Sequence, residues 1–193
     1  MSKHDGSPLI EFGSLRCPGQ DAPLRFALRP GLTLVCGGEG RGKTSLLGLV
    51  AAQARTNGLS VWLEQPADAA HDQTVARAWL AERREAYAGW NDALQAALAQ
   101  AFALDEHMDK PMFMLSAGSR RKLGLLGAAA SGAAVTLLDV PFAAIDMRSA
   151  RVLGELLAEA AEDESRAWVL ADYARPAALD EEVALAAEID LGE

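Results

Sequence analysis

The stretch GGEGRGKT, residues 37–44, constrains this chain more than any other feature. It fits the spacing G-x-x-x-x-G-K-[ST] through Gly37, Gly42, Lys43 and Thr44. The short apolar run LTLVC precedes it, and KTSLLGLVAAQA, with apolar residues at helical spacing, follows it. Glycines let successive backbone N–H groups turn inward without Cβ clashes. Those groups, together with the start of the helix, favour an anion. The spacing therefore predicts a phosphate cradle built from Gly37, Gly38, Gly40, Arg41, Gly42, Lys43, Thr44 and Ser45. Lys43 would reach the β- and γ-phosphates, and the Thr44 hydroxyl would hold Mg²⁺. Glu39 is an acid inside this loop, where it opposes a triphosphate. It is expected to face solvent or to pair with Arg41.

The rest of the chain alternates short apolar runs with helical patterns. PLIEFGSLRC and PLRFALRPGLTLVCG read as strands separated by the turn-forming PGQDAP. LSVWLEQP reads as a buried strand ended by Pro66, and VTLLD and AWVLAD as two more. Between these last two, Val152, Leu153, Leu156, Leu157 and Ala160 form a helical stripe, and VALAAEIDLG closes the sheet. Strands buried on both faces read as continuous apolar runs, so the pattern implies an α/β fold with a mainly parallel sheet. Residues 73–104, rich in Ala, Leu, Arg and Glu, read as strongly helical and interrupt the alternation. Residues 67–112 are therefore expected to form an inserted helical lobe within a single domain spanning 1–193.

Charge narrows the partners. The net charge is −9, and residues 155–193 carry 12 acidic and 2 basic residues. No broad basic footprint exists, which argues against nucleic acid. Cys17 and Cys36 make neither a metal nor a C-x-x-C spacing. The three histidines, His4, His71 and His107, stand beside no recognisable nucleophile or ligand cluster. No basic start followed by an apolar stretch opens the chain, and no run of about 18 apolar residues occurs. A cytoplasmic protein is expected.

A second anion site is legible in LSAGSRRKL, residues 115–123, where Ser116 and the N–H of Gly118 stand at a helix start. Taken plainly, Ser116 is a helix N-cap. In order, the phosphate loop, LSAGS and the strand VTLLD ending in Asp139 resemble the nucleotide-binding subunits of ABC transporters. That family's signature reads LSGGQ followed by basic residues; here Leu115-Ser116-Ala117-Gly118-Ser119 is followed by Arg120, Arg121 and Lys122. The resemblance runs from about residue 8 to 191. The short length and the LSAG form look most like the small ATP-binding subunit of haem exporters used in cytochrome c maturation. The resemblance implies a P-loop NTPase fold, an ABC-type ATPase core with an antiparallel β region and an inserted helical subdomain, and the cofactors ATP and Mg²⁺. It also implies a head-to-tail dimer, homo- or heteromeric, in which each phosphate loop faces Ser116, Ala117 and Gly118 of the other domain. A separate multispan membrane subunit would dock on the helical lobe, leaving the chain cytoplasmic or peripheral at the inner face of the membrane.

Carried over residue by residue, the resemblance makes Gln65 the glutamine that contacts Mg²⁺ or the attacking water. The plain alternative is a polar residue at a strand end. Asp139 matches the aspartate of the Mg²⁺ shell, alongside Thr44. Asp146 matches a loop that crosses the dimer interface and reads equally as a helix N-cap. Two positions depart from the family. Val140 stands where the catalytic glutamate belongs, and Tyr173 where a switch histidine belongs. Valine can polarise no water, and a missing positioned base costs about 10²–10⁴ in rate. Gln65 and Tyr173 are then the remaining catalytic candidates, with Asp172 a spare carboxylate and Glu64 expected to face away from Gln65. For an adenine platform, Phe12 or the Arg16 guanidinium could serve. The functional expectation is an ATP-binding subunit that couples binding, and slow or impaired hydrolysis, to transport by separate membrane subunits. The alternative is a non-hydrolysing regulatory ATP-binding module acting on a soluble partner.

Overall fold

The computed structural model describes residues 7–64 and 69–193. Its central element is a five-stranded, all-parallel sheet, joined to a small antiparallel ribbon. The ribbon pairs β1 (Ile10–Leu15) with β2 (Leu24–Leu28). Pro30, which has no N–H to donate to a ladder, separates β2 from β3 (Gly31–Cys36), so what reads as one apolar stretch enters two different sheets. α1 (Lys43–Thr56) follows β3, and β4 (Val61–Leu63) follows α1.

Two helices then depart from the sheet, α2 (Ala76–Ala86) and α3 (Asp92–Ala101), before α4 (Ala117–Ala130) returns to it. The helical pattern over 73–104 is broken between these two helices. Tyr87 is extended at the C-terminus of α2, and its hydroxyl donates to the Val61 carbonyl at 2.8 Å. Asn91 restarts the helix by accepting the Leu94 N–H at 3.0 Å, while its own N–H donates to Ala130 at 2.8 Å. Anchorage to β4 and α4 overrides a sequence that would otherwise run on as helix.

The chain ends with β5 (Val135–Asp139), α5 (Met147–Ala161), β6 (Ala167–Asp172) and β7 (Ala187–Asp190). The strand order is β4-β5-β6-β3-β7. Alternate side chains of each strand feed two cores. On one face Leu32, Leu34, Leu138 and Leu170 pack against residues of α2 to α5, including Trp79, Leu98, Leu126 and Leu157. On the other, Val35, Leu137, Val169 and Ala171 pack against Leu46, Val50 and Ala54 of α1 and against Ile10, Phe12 and Leu28 of the ribbon. Burial on both faces explains the unbroken apolar strands. The carboxyl ends of β3, β5 and β6 lie side by side, the edge where open α/β sheets present ligand sites. Among the described residues, no helix is long and apolar enough to cross a membrane.

Candidate functional site

The loop between β3 and α1 forms the floor of a cavity of about 330 Å³. Gly42 leads into α1 with φ 92°, and a Cβ there would collide with the Pro18 carbonyl. Glycine is therefore required both by the backbone conformation and by the close packing of the β1–β2 turn. No side chain caps α1, so its first N–H groups are left for an anion. The loop is braced from two sides. The Gly38 N–H donates to Gly192 at 2.8 Å, and Gln20 Nε2 donates to the carbonyls of Arg41 and Leu191, each at 3.0 Å. Arg41 Nε donates to Leu191 at 3.2 Å, and Glu39, although exposed, stands on the lining of the cavity.

Lys43 is buried at the start of α1, with Nζ donating to the carbonyls of Gly37 at 2.6 Å and Gly38 at 2.7 Å. The ammonium also lies 4.3 Å from the centroid of the Tyr173 ring. Thr44 Oγ1 donates to Asp139 Oδ2 at 2.6 Å, across the mouth of the cavity. Two hard oxygens meet there at the end of β5, the donor type that Mg²⁺ takes together with phosphate oxygens and water. Among the described residues no group of three His, Cys, Asp or Glu gathers to make an all-protein metal cage. Val140 lines the same cavity and holds φ 45°, with its N–H donating to Ala171 at 2.8 Å. A β-branched residue in the left-handed region is unusual.

Carboxylates around the site are already engaged. Asp172 Oδ1 accepts the N–H of Tyr173 at 2.7 Å, and burial raises its pKa. Glu64 is buried beside Arg121, whose Nη1 donates to Glu64 Oε2 at 3.0 Å and to the Asp139 carbonyl at 2.7 Å. Burial pushes the Glu64 carboxyl up to about 7 against the opposing pull of Arg121, and Asp139 adds to the rise. Neither Glu64 nor Asp172 lines the cavity. The Arg121 bridge was not legible in the sequence, because it joins three elements that only the fold brings together. Gln65 lies outside the described residues.

The second motif sits elsewhere. Ser116 is the N-cap of α4, its Oγ accepting the Ser119 N–H at 3.0 Å. A Cβ on Gly118 would collide with the Ala144 carbonyl, so that position too demands glycine. Ser116 and Ala117 are exposed, and none of the three residues lines the cavity of the phosphate loop. Within one chain the two candidate anion sites are not brought together. Asp146 caps α5, accepting the Ser149 N–H at 2.8 Å and the Ser149 hydroxyl at 2.9 Å. These bonds hold its carboxyl at about 2, with Lys122 assisting from 3.4 Å. Phe12 is stacked on Phe26, 4.5 Å between centroids, inside the core, which removes it as an adenine platform; Arg16 is exposed. Trp79 and Trp90 pack around Trp62. Trp79 lines a second cavity of about 270 Å³ with Trp62, Tyr87, His71 and Arg83.

No protein-family model matches the chain. The cytochrome c biogenesis ATP-binding export protein CcmA of Paramagnetospirillum magneticum is 35% identical over 161 residues, spanning 72% of this chain and 74% of that protein. The protein of that name numbered CcmA 2 in Salmonella paratyphi A is 34% identical over 175 residues, 80% of this chain and 85% of its own length. Among solved structures, a Pyrococcus furiosus protein described as an ABC transporter ATP-binding protein superposes with TM-score 0.70 at 18% identity, covering 94% of this chain and 96% of that one. An ATP-binding subunit of an ABC transporter superposes with TM-score 0.66 at 16% identity, over 79% and 72%. At such identities the superpositions speak to the fold alone.

Proposed function

This chain belongs to the ATP-binding subunits of ABC transporters, the family of the cytochrome c biogenesis ATP-binding export proteins, and from that premise we propose that it binds Mg²⁺–ATP at residues 37–45 and couples binding to a separate membrane-spanning partner. The carrying observation is the convergence of the Lys43 ammonium, the open N-terminus of α1 and the Thr44–Asp139 oxygen pair around one cavity. Backbone N–H groups of the loop hold the inner phosphates, Lys43 neutralises the outer ones, and Thr44 and Asp139 hold the metal. When bound, the nucleotide and its Mg²⁺ supply the scissile phosphoryl bond and most of the charge neutralisation. Gln65 is carried as a further metal or water contact on family resemblance alone.

Hydrolysis is slow in this reading. Val140 offers no carboxylate to orient water, and the Tyr173 hydroxyl is a hydrogen-bond donor in place of the family's histidine. Ser116, Ala117 and Gly118 at the start of α4 form the second anion site, which acts on the nucleotide of a partner domain. The helical lobe, residues 67–112, is the docking surface for the spanning partner, which puts the chain in the cytoplasm at the inner membrane face. Support for an acceptor groove beside this lobe comes from the cavity between it and β4, where Trp62, Trp79 and Tyr87 stand among Glu64, Arg83 and Arg120.

The test is titration calorimetry with Mg²⁺–ATP. Wild-type chain is expected to bind, and Lys43→Ala to lose affinity at least about 100-fold, in keeping with a buried charge-assisted contact. Equal affinity in the two proteins overturns the nucleotide site. Co-purification with a multispan protein from detergent is the expected outcome for the transporter assignment.

A further inference from the structure

Glu39 is the only acid in the phosphate loop, residues 37–45. It lines the cavity together with Arg41, Lys43, Thr44 and Asp139. The charged side chains of that lining are two carboxylates and two cations, so it carries no net positive charge to offset a polyphosphate. The two carboxylates are not equivalent. Asp139 accepts the Thr44 hydroxyl at 2.6 Å, where the pair offers oxygens to a metal. Glu39 is exposed and makes no hydrogen bond or ion pair with a described residue. The pairing with Arg41 that the sequence offers as one possibility is not made, because the Arg41 guanidinium turns to the Leu191 carbonyl at 3.2 Å. Lys43 Nζ is likewise taken by the carbonyls of Gly37 and Gly38, at 2.6 and 2.7 Å. Neither cation of the loop therefore neutralises Glu39.

We propose that Glu39 makes the phosphate loop select nucleotide already complexed with a divalent cation and turn away the bare polyphosphate. The selection rests on the nucleotide-binding reading above. A bare nucleoside triphosphate carries roughly twice the charge of its Mg²⁺ complex, so a fixed carboxylate repels it roughly twice as strongly. Asp139 favours the complex by ligating its cation, whereas Glu39 acts against the bare anion by charge alone and needs no bond to the metal. Water reaches Glu39, so screening keeps the effect to several-fold.

The experiment measures dissociation constants by calorimetry, at one ionic strength, for a non-hydrolysable ATP analogue with excess EDTA and with excess Mg²⁺. The proteins are wild type, Glu39→Gln, Glu39→Asp and Glu39→Lys. The backbone at residue 39 is not left-handed and the side chain has no bond to lose, so these substitutions leave the loop intact. Glu39→Gln is expected to tighten the bare analogue at least about 3-fold and the Mg²⁺ complex less than about 2-fold. Glu39→Asp keeps the charge and is expected to keep the wild-type ratio, and Glu39→Lys to carry the trend further than Gln. An unchanged ratio in Glu39→Gln overturns the selection. Weaker binding of the Mg²⁺ complex by Glu39→Gln makes Glu39 a metal ligand and overturns it as well. If the wild-type protein binds neither form, the nucleotide reading itself falls, and the selection with it.

Discussion

Val140 concentrates two unusual properties in one residue. It stands after Asp139 where the resemblance expects a catalytic glutamate, and it holds a left-handed backbone at φ 45°. That conformation costs an L-residue about 1–2 kcal/mol, and the Val140 N–H bond to Ala171 helps to maintain it. Because Val140 already lines the cavity, a longer acid at this position would enter the space beyond Lys43. Val140→Glu is expected to raise single-turnover hydrolysis of Mg²⁺–ATP by at least about 10-fold, read by rapid quench, the low end of what a positioned base contributes. No rise would mean that Tyr173 or the altered signature at Ser116–Ser119 also blocks turnover. Glu64 supplies a pH dependence of stability. Its carboxyl titrates near 7 when folded, against 4.5 ordinarily, chiefly through burial. Between those values the folded state binds more protons than the unfolded one. Stability from this group is therefore full below about 4.5 and is lost as pH rises through 7. The loss is at most about 3 kcal/mol. Glu64→Gln removes the charge, so urea denaturation is expected to find it more stable than wild type at pH 8 and about equal at pH 5. A wild-type protein that gains on the variant toward pH 8 contradicts this assignment.

At the scale of elements, three helices, α3, α4 and α5, start on a side-chain cap. Asp146 begins α5 with two hydrogen bonds from Ser149. Asp146→Ala is expected to lower unfolding free energy by about 1 kcal/mol at neutral pH, measured by urea midpoint. Its carboxyl is depressed to about 2 from 3.8, so the contribution is present above 3.8 and is lost as pH falls through 2. The wild type and the variant should converge in acid. The parallel strands were legible because both of their faces are buried, which leaves continuous apolar runs such as VTLLD and AWVLAD. The break between α2 and α3 was not, because Tyr87 and Asn91 are fixed by partners on β4 and α4 that helical periodicity cannot foresee. The last strand is also shorter than VALAAEIDLG suggests, only Ala187–Asp190. The same divide runs through the site. Lys43 and Thr44 could be read from motif spacing, and Asp139 from the family resemblance. The contacts of Tyr173 with Lys43, of Arg121 with Glu64 and of Arg41 with Leu191 join segments distant in sequence, and nothing local announces them. Phe12 looked available for stacking only because sequence does not reveal Phe26 lying against it.

For the whole molecule, the separation of the two candidate anion sites has a consequence for assembly. Ser116 and Ala117 are exposed at the start of α4 and contribute nothing to the cavity that holds Lys43. If both sites grip one triphosphate, they must come from two chains, and the nucleotide is then the adhesive between them. Each chain carries a net charge of −9, so association works against repulsion and is expected to strengthen with added salt. On the slow hydrolysis proposed from Val140, a nucleotide-bound dimer should accumulate without further mutation. Sedimentation velocity is expected to find the chain monomeric alone or with Mg²⁺–ADP, and dimeric with Mg²⁺–ATP. Lys43→Ala should stay monomeric throughout. The sharper variant is Ala117→Glu. An acid in the first turn of α4 suits the helix dipole and leaves the monomer intact. In a head-to-tail dimer the same carboxylate would face the partner's phosphates across the interface and oppose them there. Loss of the dimer with retained Mg²⁺–ATP binding by the monomer is the expected result. A dimer that forms equally well with Glu at position 117 would place the contact on some other surface and leave α4 without a role in it.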